Sequence, residues 1–350
     1  VRFKSIGLVA LISLIGAHCF NVSGMPVPWM LGPLFAVLIS QFFIKYKLYW
    51  PVKLRNFGLL IVGISIGQAF QLELLAGMGW LITFMLLLNI GLVIISIFMA
   101  LGVQKIGNLS LKTALTCTVP GGLAQITVFA EEEEDIDLAV VVFFHVVRVI
   151  SIVFLVPFSL SGHIIQASSG ESFELVAIMP IAFLIFASFG SVIVGKKLKI
   201  PVPFFLSPVL FIVVLNFCSI HTPEIPSILL HTAQLFMGAY IGLQLKPEML
   251  KLGKKVLILG IGSALFLLIV TFAQALLLKS FLNYSLATSF LSTAAGGLDQ
   301  MSLLATIVGA DVSVVTVFQM FRLLFVFLVV LPLLKAACSV IDRKRKIVKT

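Results

Sequence analysis

The feature that constrains this chain most is a short pattern that occurs twice. Pro120-Gly121-Gly122-Leu123-Ala124-Gln125 returns as Ala295-Gly296-Gly297-Leu298-Asp299-Gln300, 175 residues on from Gly121 to Gly296. The same spacing relates Pro26-Val27-Pro28-Trp29-Met30-Leu31-Gly32-Pro33 to Pro201-Val202-Pro203-Phe204-Phe205-Leu206-Ser207-Pro208, and Gly63 and Gly67 to Gly238 and Gly242. Beyond the glycine pair the register slips by one, inside an acidic run. Asp137 then matches Asp311, and Arg148 matches Arg322. One offset held over so many landmarks reads as a duplication of the whole chain. The fold must be one that can be assembled twice from the same order of segments.

Those segments are apolar. Hydrophobic residues make up 60% of the chain and charged ones 11%, with a mean hydropathy of +1.19. That balance belongs to a polytopic membrane protein and not to a soluble domain. The apolar runs of the first copy are 6–20, 28–44, 57–70, 78–103, 113–130 and 138–160. Those of the second are 175–194, 203–220, 228–245, 256–278, 285–308 and 312–334. The domains are then a first repeat 1–160, a polar linker 161–174, a second repeat 175–336 and a basic tail 337–350. Arg2, Lys4 and the run 6–20 have the outline of a signal peptide. This run aligns with the start of the second repeat, so a first membrane helix is expected instead. The net charge of +10 lies mostly in short loops, and no basic soluble domain exists to bind nucleic acid. Cys19, Cys117, Cys218 and Cys338 have no metal-binding spacing and read as membrane-buried thiols.

Two of the runs are unusual. The charge-free run 113–130 is long enough for a membrane helix, yet Pro120-Gly121-Gly122 sits at its centre. Proline removes a backbone donor, paired glycines loosen the backbone, and hydrocarbon tolerates the result only where it is buried or lines a cavity. Loop charges show what such a run does. With Arg2 and Lys4 inside, a full crossing here would put Lys196, Lys197 and Lys199 outside. A re-entrant hairpin in each repeat brings these residues, Lys246, Lys251, Lys254, Lys255 and Arg343-Lys344-Arg345-Lys346 all inside. Lengths agree: Lys112 to Val119 spans about 12 Å of helix, close to half of a ~30 Å core. Each repeat then has five transmembrane helices plus one hairpin broken at a Gly-Gly tip. Five is odd, so the two repeats have inverted topology. The expected fold is an all-α polytopic membrane protein in a bacterial-type inner (plasma) membrane. Both termini are cytoplasmic, and the glycine tips approach each other at the midplane, as in secondary transporters.

Candidate site residues follow. A broken helix leaves unpaired N–H groups and partial positive charge at the start of the next half-helix. Pro120, Gly121, Gly122, Gln125, Gly296, Gly297 and Gln300 are therefore candidates for an anion or carboxylate cradle; a packing kink is the plainer alternative. Asp299 is ionisable, near mid-membrane, and has Ala124 as its counterpart. It is a candidate proton site, cation ligand or arginine partner. Arg148 and Arg322 each lie 11 residues after an aspartate, about 16 Å into their helices. Each either holds a substrate carboxylate or braces the carbonyls of a hairpin break. His145 shares a helix face with Arg148 and is a possible proton site or a packing histidine; Gln319 takes its place in the second copy. The run Glu131–Asp135 reads as a solvated loop. Ser65, Gln68, Asn89, Tyr240 and Gln244 are weaker polar candidates.

The paired proline-rich starts, the two glycine tips, the acidic residues after them and the Arg148 and Arg322 helices together resemble the AbrB-type duplicated membrane protein family. The resemblance covers essentially the whole chain. Members are labelled ammonia monooxygenases or regulators of gene expression. More distantly, the glycine-tipped hairpins resemble the 2-hydroxycarboxylate transporters and the cation–proton antiporter and anion transporter group, which is a likeness of fold only.

Three functions compete. The first is a secondary transporter of a small, carboxylate-like solute with Na+ or H+ coupling and no cofactor. The second is a membrane-embedded regulator or sensor, although nothing resembles an output domain. The third, an ammonia-oxidising enzyme, needs clustered metal ligands, whereas His18, His145, His163, His221 and His231 are scattered. No enzyme is expected. The expected partners are a small solute, the lipid bilayer and a second copy of the chain in a homodimer, with no nucleic acid.

Overall fold

The computed structural model describes residues 2–44, 47–70, 78–133, 135–160, 178–200, 202–220 and 222–349. The linker 161–174 lies outside them, and for Gln125 the description covers the backbone alone. Every regular element among the described residues is helical. The order is α1 (Arg2–Val22), α2 (Pro28–Phe43), α3 (Val52–Gln68), α4 (Met78–Gly107), α5 (Leu111–Thr118), α6 (Leu123–Glu132), α7 (Leu138–Ser159), α8 (Ile178–Lys197), α9 (Pro203–Phe217), α10 (Ser227–Gly242), α11 (Lys254–Leu282), α12 (Leu286–Thr293), α13 (Leu298–Ile307), α14 (Val312–Phe325) and α15 (Leu331–Lys349). A π-helical turn, Val326–Val330, joins the last two.

Among the described residues, seven helical runs are long and apolar enough to cross a membrane: Lys4–Val22, Gly79–Gly107, Leu138–Ser159, Met179–Lys197, Ser227–Met249, Lys254–Leu282 and Val312–Arg343. The chain is a multi-pass helical membrane protein. Helices α2, α3 and α9 have 16, 17 and 15 residues, or about 22–26 Å at 1.5 Å per residue. The two unusual runs each form two helices, of 8 and then 10 residues. The basic tail is helical as far as Lys349. The acidic run is less loop-like than its composition suggests, because Glu131 and Glu132 close α6.

Local geometry recurs at the sequence offset. Val27 and Val202 are both left-handed, at φ 50° and 46°, and both precede a proline that opens a helix. A β-branched residue is strained there, but proline at the first helical position bars the right-handed region to the residue before it. Ser110 and Ser285 cap α5 and α12, each accepting an N–H three residues on at 3.1 Å. Asp137 and Asp311 cap α7 and α14, where Oδ1 accepts the amides of Val140 and Val314. The matched aspartates of the sequence are thus helix caps.

The helices sort into two compact units. Unit one comprises Val1–Ala76, Phe154–Leu245 and Asp299–Val315; unit two comprises Gly77–Val153, Lys246–Leu298 and Thr316–Thr350. Each draws on residues from both halves of the chain, so the compact units cut across the division expected from the sequence.

Unit one is packed through glycines in reciprocal pairs. A Cβ on Gly63 of α3 would lie 2.6 Å from the Phe205 carbonyl of α9, and one on Gly238 of α10 would strike the Met30 carbonyl of α2. Gly67 meets Ile212 while Gly242 meets the Leu34 carbonyl. Hydrogen bonds follow the same exchange: Gln41 Nε2 donates to the Gly242 carbonyl at 2.8 Å, and Asn216 Nδ2 to the Gly67 carbonyl at 3.2 Å. Gly58 and Ala233, equivalent by offset, meet each other where α3 crosses α10. Lipid offers no hydrophobic drive between helices, so this close backbone approach is what holds them.

Unit two is built around the long helices α4 and α11, with α5 packed on α4 and α12 on α11. Gln274 Nε2 reaches the Leu88 carbonyl at 2.8 Å. Gly260 leaves room for Phe143, whose Cε1 would lie 2.5 Å from an added Cβ. The C-terminal helix α15 returns to the start of α5, where Lys112 Nζ donates to Asp342 Oδ2 at 2.7 Å.

Candidate functional site

At the first break α5 ends at Thr118, Val119 turns extended at φ −58° and ψ 129°, and Gly122 opens α6 without a side-chain cap. The last turn of a helix leaves carbonyls without intrahelical partners. Two α7 side chains, one turn apart, take them. Arg148 donates from Nη1 to the Val119 carbonyl at 3.0 Å and from Nη2 to the Gly121 carbonyl at 2.9 Å. His145 Nε2 meets the Thr116 carbonyl at 3.0 Å, and Arg148 Nη2 meets His145 Nδ1 at 2.8 Å. A carbonyl only accepts and a guanidinium only donates. The histidine must therefore carry its proton on Nε2 and accept at Nδ1, as a neutral ring. This arrangement suits a positioning group.

The second break repeats the design. Ala294 turns at φ −51° and ψ 129°. Arg322 donates to the Thr293 carbonyl at 3.3 Å, to the Ala294 carbonyl, and to the Gly296 carbonyl at 2.6 Å. Gln319 replaces His145. Its Oε1 accepts from Arg322, and its Nε2 donates to the Leu291 carbonyl at 2.6 Å and the Ala294 carbonyl at 3.1 Å. The carbonyls of Thr116, Val119 and Gly121 thus correspond, at the offset, to those of Leu291, Ala294 and Gly296.

Arg148 is 4% exposed and Arg322 7%. Among the described residues no carboxylate pairs with either, and the ion pairs present belong to Lys112. Carbonyls satisfy the N–H groups but do not neutralise the charge. Arg148 Nε has no hydrogen-bond partner. A Cβ on Gly121 would lie 3.3 Å from Val326 Cγ1, so the first glycine tip touches the π-helical turn that follows Arg322. Such turns often occur at functional sites.

Asp299 sits in the first turn of α13 and is 8% exposed. Its carboxylate accepts the backbone N–H groups of Asp299 and Gln300, feels the charge of Arg55, and lies 3.4 Å from Gln300 Nε2. Arg55 itself stacks 4.9 Å from the centroid of the Tyr240 ring. The positive end of α13 is therefore occupied by the chain's own carboxylate. At the first break Ala124 stands in that place, and α6 has no side-chain cap. Pro120 is buried, whereas Gly121, Gly122, Gly296 and Gly297 are half-buried.

Ser292, Gln274 and the ion pairs of Lys112 were not among the features expected from the sequence. Ser292, Gln274 and Asn89 line a cavity of about 10 Å³ with Arg322, room for one water. Of these only Asn89 stood out in the sequence, and Ser292 Oγ has no hydrogen-bond partner. Lys112 is 2% exposed, and its Glu133 and Asp342 partners are distant in sequence. Its place at the head of an apolar arm was the available signal. Gln68 binds Thr222 Oγ1 and the Pro223 carbonyl, which is a structural role. Among the described residues no three His, Cys, Asp or Glu side chains gather to hold a metal.

A family model described as "Transition state regulatory protein AbrB" matches residues 29–337. "Uncharacterized protein YhjN" of Bacillus subtilis (strain 168) is 25% identical over 353 residues, covering 92% of this chain and 90% of YhjN. The matched stretch contains both breaks, both arginines and Asp299, and by that match over most of its length the chain belongs to the AbrB family.

Proposed function

We propose that the chain is a secondary transporter of a small anionic solute, a carboxylate being the best fit. One observation carries this reading: two buried guanidinium groups, each braced on a helix break, have no carboxylate among the described residues to balance them. A buried, uncompensated charge is costly, and an anion is the natural complement of two of them. The uncapped N-terminus of α6 and the unpartnered Nε of Arg148 add donors of the same preference. Asp299 is assigned the coupling role, as carrier of H+ or ligand of Na+, because the second tip has it and the first does not.

The proposed topology is two inverted repeats, each with five crossings and one re-entrant hairpin, in a bacterial inner membrane with both termini cytoplasmic. Its support is the charge pattern of the loops together with the 8-residue arms that stop at the glycine tips. A second reading, regulation, has the family description in its favour. Flux separates the two. Proteoliposomes are loaded with the purified protein and challenged with a panel of small carboxylates, with and without proton or sodium gradients. Gradient-driven uptake that is lost in Arg148→Gln is the expected result. Solute-induced stabilisation without any flux would favour the sensor, and neither effect would overturn the anion site.

A further inference from the structure

The geometry points to a binding site for one anionic phospholipid in the groove between α4 and α11, inside unit two. An acyl chain lies between the helices, and the headgroup rests on Lys105, Lys254 and Lys255. This does not rest on the transport reading.

The groove has a volume of about 650 Å³ and is lined by apolar side chains, among them Phe98 and Ile106 of α4 and Ile258 and Phe266 of α11. Its depth comes from Gly102 and Gly262, which also line it. A Cβ built on either meets nothing within 4 Å. That sets them apart from the packing glycines of unit one, where an added Cβ would strike a neighbouring backbone. Glycine is a poor helix former, and packing does not require it at these two positions. What the pair supplies is open space.

Length and charge select the occupant. From Ile95 to Ile106 the groove runs along about 16 Å of α4, one leaflet of a ~30 Å core. At one end stand Lys105, next to Ile106, and Lys254 and Lys255, one turn before Ile258. All three are exposed. They share that end because α4 and α11 run antiparallel, with Gly107 beside Leu259. Neither helix contains an acidic residue. An apolar slot one leaflet deep under a cationic rim matches a lipid with an apolar tail and an anionic head.

The test uses the full chain in detergent, with phosphatidylglycerol or phosphatidylcholine added. Bound lipid and oligomeric mass are read by native mass spectrometry, and thermal stability is measured alongside. One phosphatidylglycerol should be retained per chain, with a preference of about tenfold or more over phosphatidylcholine, as several lysines near a headgroup imply. Lys105→Gln with Lys254→Gln and Lys255→Gln should bring the preference to within about twofold. Gly102→Leu with Gly262→Leu should abolish retention without lowering the melting temperature of lipid-free protein. Gly102→Ala with Gly262→Ala is the milder pair should the leucines prevent folding, and it should weaken retention. Equal retention of both lipids, or undiminished retention in the filled-groove variant, would overturn the assignment. So would a filled groove that converts a dimer to a monomer while lipid binding persists, which would make the occupant a second copy of the chain.

Discussion

Arg322→Ala tests whether the second break is held by its guanidinium. Arg322 donates to the carbonyls of Thr293, Ala294 and Gly296 and to Gln319 Oε1. In the variant Ala294 keeps the bond from Gln319 Nε2, while Thr293 and Gly296 lose the guanidinium. Each buried carbonyl deprived of a donor costs about 1–3 kcal/mol, so the loss lies between about 2 and 6 kcal/mol. Two effects place it toward the lower part of that range. Removing the arginine also removes a buried charge whose own desolvation is unfavourable. The cavity already beside Arg322 is polar and, once enlarged, admits water to the orphaned carbonyls. A destabilisation of about 3 kcal/mol is expected, read by equilibrium unfolding in mixed micelles. Arg322→Met keeps the side-chain length without the donors and should behave alike. Arg322→Lys keeps the charge but not the fork and should fall between. If Arg322→Ala unfolds within about 0.5 kcal/mol of the parent protein, the level of an ordinary surface change, the break does not depend on its brace.

Three further outcomes are expected. Asp299→Asn should leave the fold intact, because its amide oxygen can still accept the Asp299 and Gln300 N–H groups, while solute binding loses its dependence on pH or sodium; unchanged pH and sodium profiles would remove Asp299 from coupling. Gly238→Ala should push α10 away from the Met30 carbonyl and destabilise unit one by about 1–3 kcal/mol, with Gly63→Ala matching it at Phe205; a melting temperature unchanged in both would refute close backbone packing. Asp342→Asn should loosen α15 from α5 by about 1 kcal/mol, since Asp342 is 44% exposed and solvent screens the pair. Burial alone would lower the pKa of Lys112, but the hydrogen bond and charge of Asp342 outweigh it and raise the value above 10.5. The stabilisation is therefore complete below 10.5 and lost as pH rises through the higher folded-state value, so the parent and Asp342→Asn should converge in stability in that alkaline range.

The apolar character of the chain, the 175-residue offset at which its motifs recur and the positions of both breaks were legible in the amino-acid sequence. These depend on short-range rules: apolar content, the missing N–H of Pro120, and the paired glycines at 121–122 and 296–297 act wherever the chain goes. The length of α5 was legible for the same reason, because the arm that begins near Lys112 stops at the break. Sequence left open what Arg148 and Arg322 bind. Their carbonyl partners lie 25 to 30 residues away on another helix, and only packing of α7 on α5 and of α14 on α12 brings the donors to the acceptors. It also gave Asp299 no partner, because the amides of its own helix turn become available only once α13 starts at Leu298. The reciprocal packing of Gly63 on Phe205 and Gly238 on Met30 was hidden for a further reason. A glycine's letter is the same whether a neighbouring backbone fills the space above it, as at Gly238, or nothing does, as at Gly102. Which of the two holds depends on where the next helix lies, and that is fixed by the fold.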